Sequence, residues 1–301
     1  MAARTGIGRL ASWFDRRVVG GARDLAFLAG SPLPRPLRAG LFRSWLSLHL
    51  QRGRTDGDGL MHWTLLGRRV CAHSRASMAL QFREIFLRAD YYLPDLGPRP
   101  FILDAGANAG LAILFFKTVH PGAELVGFEP NPESFALLER NTVGSGLDGV
   151  TLHPVAVGAA DGSLEFFLVP GEPASNRASS RPGRTGGRPV SVPQRRLSAF
   201  VDRPVDLLKL DVEGAEAGVL DDLIQSGAIA RVRRMVIEYH HHIQGDRDAF
   251  GHFLGRLEAA GFGYQLRASL PPGDPAWRRG GTFQDVLVYA CRPGDGGGQA
   301  G

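Results

Sequence analysis

A loop of small residues at positions 104–110 could bind a nucleotide-like ligand. It reads Asp-Ala-Gly-Ala-Asn-Ala-Gly. Gly106 allows a tight turn and a close approach of the backbone to a ligand. Asn108 is a natural N-cap for a following helix, and Gly110 lets that helix pack close to the preceding strand. Asp104 stands at the entrance of the loop, where its carboxylate would repel a pyrophosphate and attract a cation.

Glu129 supplies a second part of the same site. It comes 25 residues after Asp104, at the end of the next predicted strand. A carboxylate at that place can accept hydrogen bonds from both hydroxyls of a ribose. The Gly-x-Gly-x-x-Gly spacing of a dinucleotide-binding loop is absent from this segment. Because Asp104 would attract the cationic methionine group, the two features favour S-adenosylmethionine over NAD as the ligand.

A second group of ionisable residues surrounds the end of the strand predicted at residues 206–211. Asp211 is expected at its carboxyl end, close to the reacting part of the cofactor. Lys209 shares a sheet face with Asp211, because side chains alternate along a strand, and pairing with a neighbouring carboxylate is its simplest role. Glu213 and Glu216 open the next helix, where the helix dipole alone favours acidic residues.

A run of histidines ends the following strand. In an extended segment Glu238, His240 and His242 lie on one face. Neighbouring strands would bring Asp211 close to Glu238. Three interpretations remain open. His240 is a general base toward a hydroxyl acceptor; Asp211, Glu238 and His240 bind Mg²⁺ or another divalent ion; or the histidines are polar residues at a strand end.

Strands and helices alternate from residue 101 onward, and they must position these side chains. Short apolar segments predict strands, and the amphipathic segments between them predict helices. The alternation indicates an α/β fold, a parallel sheet with helices on both faces and its ligand at the carboxyl ends of the strands. The predicted strands cover residues 101–104, 124–129, 150–157, 206–211, 232–239, 263–267 and 285–291, and the helices cover 108–119, 132–142, 215–226 and 246–260.

Other segments depart from this alternation. A pair of strands is predicted at residues 163–169 and 189–192, and the Gly-, Pro-, Ser- and Arg-rich residues 170–188 between them predict a flexible lid or loop. Residues 1–75 predict a basic extension of helices, at 10–18 and 37–50, and irregular segments. Two short strands at 62–65 and 69–72 and a helix at 76–88 follow. The main domain is therefore expected at residues 76–292, with a disordered tail at 293–301.

Three segments together resemble the FkbM family of S-adenosylmethionine-dependent methyltransferases. Upstream, the Tyr-Tyr-Leu at residues 91–93 is similar to the family's segment before its first strand. The resemblance covers roughly residues 80–290. The segments are Ile-Leu-Asp-Ala-Gly-Ala-Asn-Ala-Gly at 102–110, Phe-Glu-Pro-Asn-Pro at 128–132 and Leu-Lys-Leu-Asp-Val-Glu-Gly-Ala-Glu at 208–216.

The resemblance implies a class I methyltransferase, Rossmann-like sheet, mostly parallel with its last strand antiparallel. It implies O-methylation of a hydroxyl on a sugar, glycan or secondary metabolite. Glu129 would hold the ribose with Asn131 beside it, and the backbone near Ala156 would face the adenine. Independently of the resemblance, the ionisable residues at the two strand ends predict that Asp211, Glu213 and His240 carry out catalysis. The methionine end would be lined by Asp104, Gly106, Asn108 and Gly110.

Composition and charge narrow the alternatives. The first 99 residues hold 16 arginines, no lysine and 7 acidic residues, but the whole chain has only two lysines, which indicates a compositional bias rather than a nucleic-acid-binding surface. Two cysteines give no disulfide framework. No apolar run reaches the ~18 residues of a spanning helix, so a cytoplasmic protein without a transmembrane segment is expected. The alternatives are a nicotinamide-dependent oxidoreductase and a nucleic-acid methyltransferase.

Overall fold

The computed structural model describes residues 20–50, 55–168, 189–241, 249–268 and 284–294. The chain divides into two compact units, Met1–Tyr92 and Leu93–Gly301. This division lies beyond the boundary expected between residues 75 and 76. The helix expected at residues 10–18, the lid at 170–188 and most of the tail at 293–301 lie outside the described residues.

The first unit consists of two helices, a β-hairpin and a further helix. The Pro-containing segment at 31–34 separates the two helices, as expected, because Pro restricts helical geometry at the residue before it. Asp24 forms an ion pair with Arg83 and accepts a hydrogen bond from the Trp45 indole at 3.2 Å, which joins three helical segments. The elements are α1 (Gly20–Gly30), α2 (Arg35–Leu50), β1 (Met61–Leu65), β2 (Arg68–Ala72) and α3 (Arg75–Gln81), which continues as a π-helix over Phe82–Leu87.

The second unit contains the strands and helices that carry the site. Its strands are β3 (Phe101–Ala105), β4 (Glu124–Phe128), β5 (Val150–His153), β6 (Ala156–Gly158), β7 (Gly162–Phe167), β8 (Pro189–Arg196), β9 (Leu207–Leu210), β10 (Arg234–His241), β11 (Gly263–Ala268) and β12 (Gln284–Cys291). Its α-helices are α4 (Leu111–Val119), α5 (Pro132–Asn141), α6 (Glu216–Gln225) and α7 (Phe250–Ala259).

Seven strands form the central sheet in the order β11-β12-β10-β9-β3-β4-β5. Parallel pairing joins β5, β4, β3, β9 and β10. Strand β12 runs antiparallel between β10 and β11. The expected Rossmann-like architecture, a mostly parallel sheet whose last strand is antiparallel, is therefore confirmed.

The central strands are apolar because both faces of the sheet are covered. Every residue of β3 and β9 is buried, and six residues of α4 are buried as well. Parallel strands covered on both sides have near-continuous apolar sequences rather than an alternating pattern. Polar side chains such as Asp104 and Lys209 are therefore exceptions in this core and need charged partners.

A smaller three-stranded sheet has the order β6-β8-β7. Its strands lie between β5 and β9 along the chain. The single strand predicted at residues 150–157 is wrong in its second half. The chain leaves the central sheet after His153, and β6 pairs with β8 instead. Pro154 stands at the break, and a proline cannot donate a ladder hydrogen bond.

Candidate active site

The candidate site lies at the carboxyl ends of β4, β3, β9 and β10, which are adjacent in the sheet. Asp104 is in β3, Glu129 follows β4, Asp211 follows β9, and His240 is near the end of β10. Parallel pairing puts these positions at one edge of the sheet. The topology thus brings the two groups of residues found in the sequence into one region.

The turn after β3 requires glycine at Gly106. Its φ is +90°, and a Cβ there would lie 1.8 Å from the backbone carbonyl oxygen of Asp211. The N–H groups of Gly106 and Ala107 donate to the carbonyl of Phe128 at 3.0 and 2.9 Å. The loop is therefore fixed between the ends of β4 and β9, in space that no other residue type can share.

Asn108 directs a backbone donor toward Glu129. Its φ is +48°, a left-handed conformation that Asn tolerates better than most residues. Its N–H donates to Glu129 Oε2 at 2.9 Å, and its Oδ1 accepts from the N–H of Ala109 at 2.7 Å. The expected N-cap role of Asn108 is wrong, because Gly110 occupies that position before α4.

Glu129 is a buried carboxyl group bound by the backbone. It is 6% exposed, and it also accepts a hydrogen bond from the N–H of Asn131 at 2.8 Å. Burial raises its pKa to about 7, while the N–H groups of Asn131 and Asn108 oppose that shift by stabilising the ionised form. The carboxyl group therefore changes its charge near neutral pH and retains acceptor capacity for further donors.

Lys209 joins three parts of the site. Its ammonium group donates to the carbonyl oxygen of Gly106 at 2.6 Å and lies 3.2 Å from Asp104 Oδ1 and 3.3 Å from Asp211 Oδ2. Burial opposes its charge, but the carboxylates of Asp104 and Asp211 raise the pKa of Lys209 above its usual value. Burial also raises the pKa of Asp104, against the effect of Lys209. Asp104 is 0% exposed, and Lys209 is its ion-pair partner in this buried position.

His240 lies among three carboxylates. Its side chain is 2% exposed, with Nδ1 at 2.8 Å from Glu216 Oε1 and Nε2 at 3.1 Å from Glu213 Oε2 and 3.7 Å from Asp211 Oδ1. Burial alone would lower its pKa, but Glu216, Asp211 and Glu238 overcome that effect and raise the pKa of His240 to about 9. Without another cation between the carboxylates, the ring is protonated at neutral pH.

Three further residues expected at the cofactor have clear structural contacts. Asn131 caps α5, since its Oδ1 accepts from the N–H of Glu133 at 3.1 Å. Gly110 lets α4 approach α5, because a Cβ there would lie 2.8 Å from Thr142 Cγ2. Ala156 is buried in the core of the small sheet. Their contact with an adenine or ribose stays a prediction.

Two of the three metal-ligand candidates expected from the sequence, Asp211 and His240, lie close to Glu213. One ligand atom from each of Asp211, Glu213 and His240 lies within 4.8 Å of the others. Glu238 is on the same face of β10 as His240 and acts on its charge, and His242 lies outside the described residues. Glu213 belongs to the group of possible ligands. It lies in the segment that connects β9 to α6, because α6 begins only at Glu216.

The hydrogen bond between Glu216 and His240 was not predicted from the sequence. Glu216 is buried, and besides His240 it accepts a hydrogen bond from the N–H of Gly214 at 3.0 Å. Its only signal was its place at the start of a helix, which the helix dipole explains equally well.

Within the described residues, no helix is both long and apolar enough to cross a membrane.

Comparison with known proteins gives consistent matches. The family model "Methyltransferase FkbM domain" matches residues 104–264. "Methyltransferase 1" of Beauveria bassiana is 32% identical over 180 residues, covering 51% of this chain and 71% of the relative. "2-O-methyltransferase NoeI" of Sinorhizobium fredii is 30% identical over 141 residues, covering 41% and 57%. "31-O-demethyl-FK506 methyltransferase FkbM" of Streptomyces tacrolimicus is 27% identical over 230 residues, covering 64% and 84%. The segment matched by the family model contains the whole candidate site.

Proposed function

The chain belongs to the FkbM family of S-adenosylmethionine-dependent methyltransferases, and from that premise we propose that it methylates a hydroxyl oxygen of a sugar, glycan or secondary metabolite. The observation that carries the proposal is the position of Glu129 beside the Gly106 loop, with the carboxylates and His240 at the neighbouring strand ends. Two relatives bear names of O-methyltransferases, which supports oxygen as the acceptor atom. The methyltransferase match decides against the nicotinamide-dependent alternative.

The cofactor end consists of Glu129 and the turn at residues 106–108. When bound, S-adenosylmethionine supplies an electrophilic methyl group. The buried carboxylate of Glu129, already oriented by two backbone donors, fits the hydroxyls of a ribose. We propose that Asp104 acts through Lys209, because Asp104 is fully buried and Lys209 carries its effect to Gly106 and Asp211.

The acceptor end consists of Asp211, Glu213 and His240. The side chains of Asp211 and Glu213 are 21% and 17% exposed, against 2% for His240. Of the three side chains, the two carboxylates are therefore the ones that an acceptor can reach. His240 is buried behind them, and its Nε2 faces both carboxylates. Loss of the acceptor's proton must accompany methyl transfer, and groups placed beside the hydroxyl contribute typically 10²–10⁴-fold to such reactions.

A binding and turnover experiment tests this function. Purified protein should bind S-adenosylmethionine and S-adenosylhomocysteine in calorimetry and should not bind NAD⁺ at the same concentrations. A panel of hydroxylated sugars, glycans and secondary metabolites should then be screened for transfer of a labelled methyl group, with the product's ether linkage identified by mass spectrometry. Transfer to nitrogen, or tight binding of NAD⁺ alone, would refute the proposal.

A further inference from the structure

The ends of β9 and β10 present a set of donor atoms that resembles a metal site. His240 Nε2 lies 3.1 Å from Glu213 Oε2 and 3.7 Å from Asp211 Oδ1. Transition metals bind nitrogen and oxygen ligands at about 2.0–2.2 Å, so two ligands at right angles on one ion lie about 3 Å apart. All three atoms lie within 4.8 Å of one another, so they would move closer together to bind one ion.

Glu216 supplies an independent indication of a ligand at Nε2. It accepts a hydrogen bond from the opposite nitrogen, Nδ1, at 2.8 Å, and the N–H of Gly214 fixes its own position at 3.0 Å. Metal-binding histidines almost always donate their second ring N–H to a carboxylate, carbonyl or water, which fixes the tautomer. Because Nδ1 is directed at Glu216, Nε2 faces Asp211 and Glu213, and a metal ion bound there would displace the proton that Nε2 carries in its absence.

Backbone conformation and local charge agree with this arrangement. Glu213 has a φ of +57° and Gly214 a φ of +105°. A left-handed conformation at a non-glycine residue is energetically unfavourable and is concentrated at functional sites. Asp104, Asp211, Glu213, Glu216 and Glu238 supply five carboxyl groups around two cationic side chains, Lys209 and His240. A divalent ion would reduce the excess of negative charge in this buried region.

We propose that Asp211, Glu213 and His240 bind one divalent first-row transition-metal ion, with Glu216 orienting His240. The proposal rests on the proposed function, because it places the ion at the acceptor end of that site. An imidazole among the ligands favours Mn²⁺, Fe²⁺, Co²⁺ or Zn²⁺ over Mg²⁺ and Ca²⁺, which prefer oxygen ligands alone. Three protein ligands leave further positions on the ion, where a hydroxyl oxygen would bind and become easier to deprotonate.

Binding of Mn²⁺ to the full chain tests the proposal without cofactor or acceptor. Protein treated with a chelator and then dialysed is titrated with Mn²⁺, and free Mn²⁺ is followed by electron paramagnetic resonance. We expect one ion per chain, with Zn²⁺ and Co²⁺ competing and Mg²⁺ competing at least about tenfold more weakly. Absence of stoichiometric binding to the folded protein would overturn the proposal.

Substitutions then test the ligand set. Asp211→Asn and Glu213→Gln should each weaken Mn²⁺ binding by about 100-fold or more, and Glu216→Gln by about 10–100-fold. Glu133→Gln, on the exposed first turn of α5, is the matched control and should change nothing. Unchanged affinity in both Asp211→Asn and Glu213→Gln would overturn the ligand set. Loss of binding in Glu133→Gln would do the same.

Binding of S-adenosylhomocysteine to the same samples separates the two proposals. A folded protein that binds S-adenosylhomocysteine but not Mn²⁺ would refute the metal site and leave the proposed function intact. A protein that binds Mn²⁺ but neither S-adenosylmethionine nor S-adenosylhomocysteine would refute the proposed function. Retained S-adenosylhomocysteine binding in the Glu213→Gln variant also shows that this variant is folded, so that its loss of Mn²⁺ is interpretable.

Discussion

Glu129 illustrates how local surroundings change the chemistry of one carboxyl group. Two backbone N–H groups hold its oxygens, while burial raises its pKa to about 7. The sequence predicted the carboxylate and its place after a strand. It could not predict the N–H of Asn108 as a partner, because that contact depends on a left-handed turn at the end of the neighbouring strand β3.

Replacement of Glu129 tests its contact with the cofactor. Glu129→Gln should weaken S-adenosylhomocysteine binding by about 1.5–3 kcal/mol, the usual value of a hydrogen bond to a charged group. Glu133→Gln, four residues along the chain and exposed, is the control and should bind as the unmodified protein does. Isothermal calorimetry provides both values. Equal affinities for the two variants would contradict the assignment of Glu129.

The pH dependence of binding follows from the same group. Because the pKa of Glu129 is about 7, its carboxyl is mostly protonated at pH 6 and mostly ionised at pH 8. Ribose hydroxyls donate to the ionised form, so S-adenosylhomocysteine should bind about tenfold more tightly at pH 8 than at pH 6. Lys209 and Asp211 act on Glu129 with opposite signs. In the Glu129→Gln variant, the difference in affinity between pH 6 and pH 8 should largely disappear. A difference that persists would show that another group causes the pH dependence.

Lys209 is expected to be important for stability as well as function. Lys209→Met leaves the buried carboxyl of Asp104 without its cation, and such losses cost about 3–5 kcal/mol. Lys117→Met removes the chain's other lysine, which donates to the carbonyls of Pro121 and Ala123, and should cost about 1 kcal/mol. Urea denaturation measures both. Similar losses in the two variants would show that the buried pair has no special role.

At the scale of elements, the strands and helices of the second unit were largely predictable. The spacing of their apolar residues matches the residues that are buried in the structure, and Gly- or Pro-containing segments separate them. The exceptions are turns. Glu213 was expected to open the helix predicted at residues 215–226, yet it lies in the segment between β9 and α6, close to His240. The break at Pro154 was missed because the residues on both sides have apolar, strand-like sequences. Such turns depend on contacts between distant segments, which single-sequence periodicity does not contain.

The junction between the β3 loop and the end of β9 gives a prediction of its own. Gly106→Ala would place a Cβ 1.8 Å from the carbonyl oxygen of Asp211 at a φ of +90°, so it should lower the free energy of unfolding by roughly 2–5 kcal/mol. Gly146→Ala is the matched control, because its φ is +77° and no atom lies within 4 Å of the added Cβ. That variant should lose about 1–2 kcal/mol. Thermal or urea unfolding that ranks them in the reverse order would contradict the close packing.

At the scale of the whole molecule, the order of the sheet decides which residues can cooperate. The sequence predicted alternating strands and helices, and the resemblance implied the antiparallel last strand. The sequence separation does not reveal the site, because Asp104 and His240 are 136 residues apart (240 − 104) along the chain. Their meeting at one edge follows from the adjacency of β3, β9 and β10. The precise partners of His240 required the three-dimensional packing of α6 against β10.

Ligand binding should stabilise the folded protein as a whole. S-adenosylhomocysteine at 100 times its dissociation constant should raise the free energy of unfolding by about 2.7 kcal/mol, since it binds the folded state alone. Chemical denaturation with and without the ligand measures this difference. NAD⁺ at the same concentration serves as the control and should leave the unfolding curve unchanged. Stabilisation by NAD⁺ instead would contradict the assigned cofactor.

The single ammonium group of Lys209 connects the backbone of Gly106 with the carboxylate of Asp211. A change at one contact would alter the other, so binding at the proposed cofactor end and binding at the proposed acceptor end should be energetically coupled. Thermodynamic reciprocity then requires that, if the cofactor strengthens acceptor binding by some factor, the acceptor strengthens cofactor binding by the same factor. Where that factor exceeds one, the shared lysine would favour assembly of the ternary complex over accumulation of either binary complex.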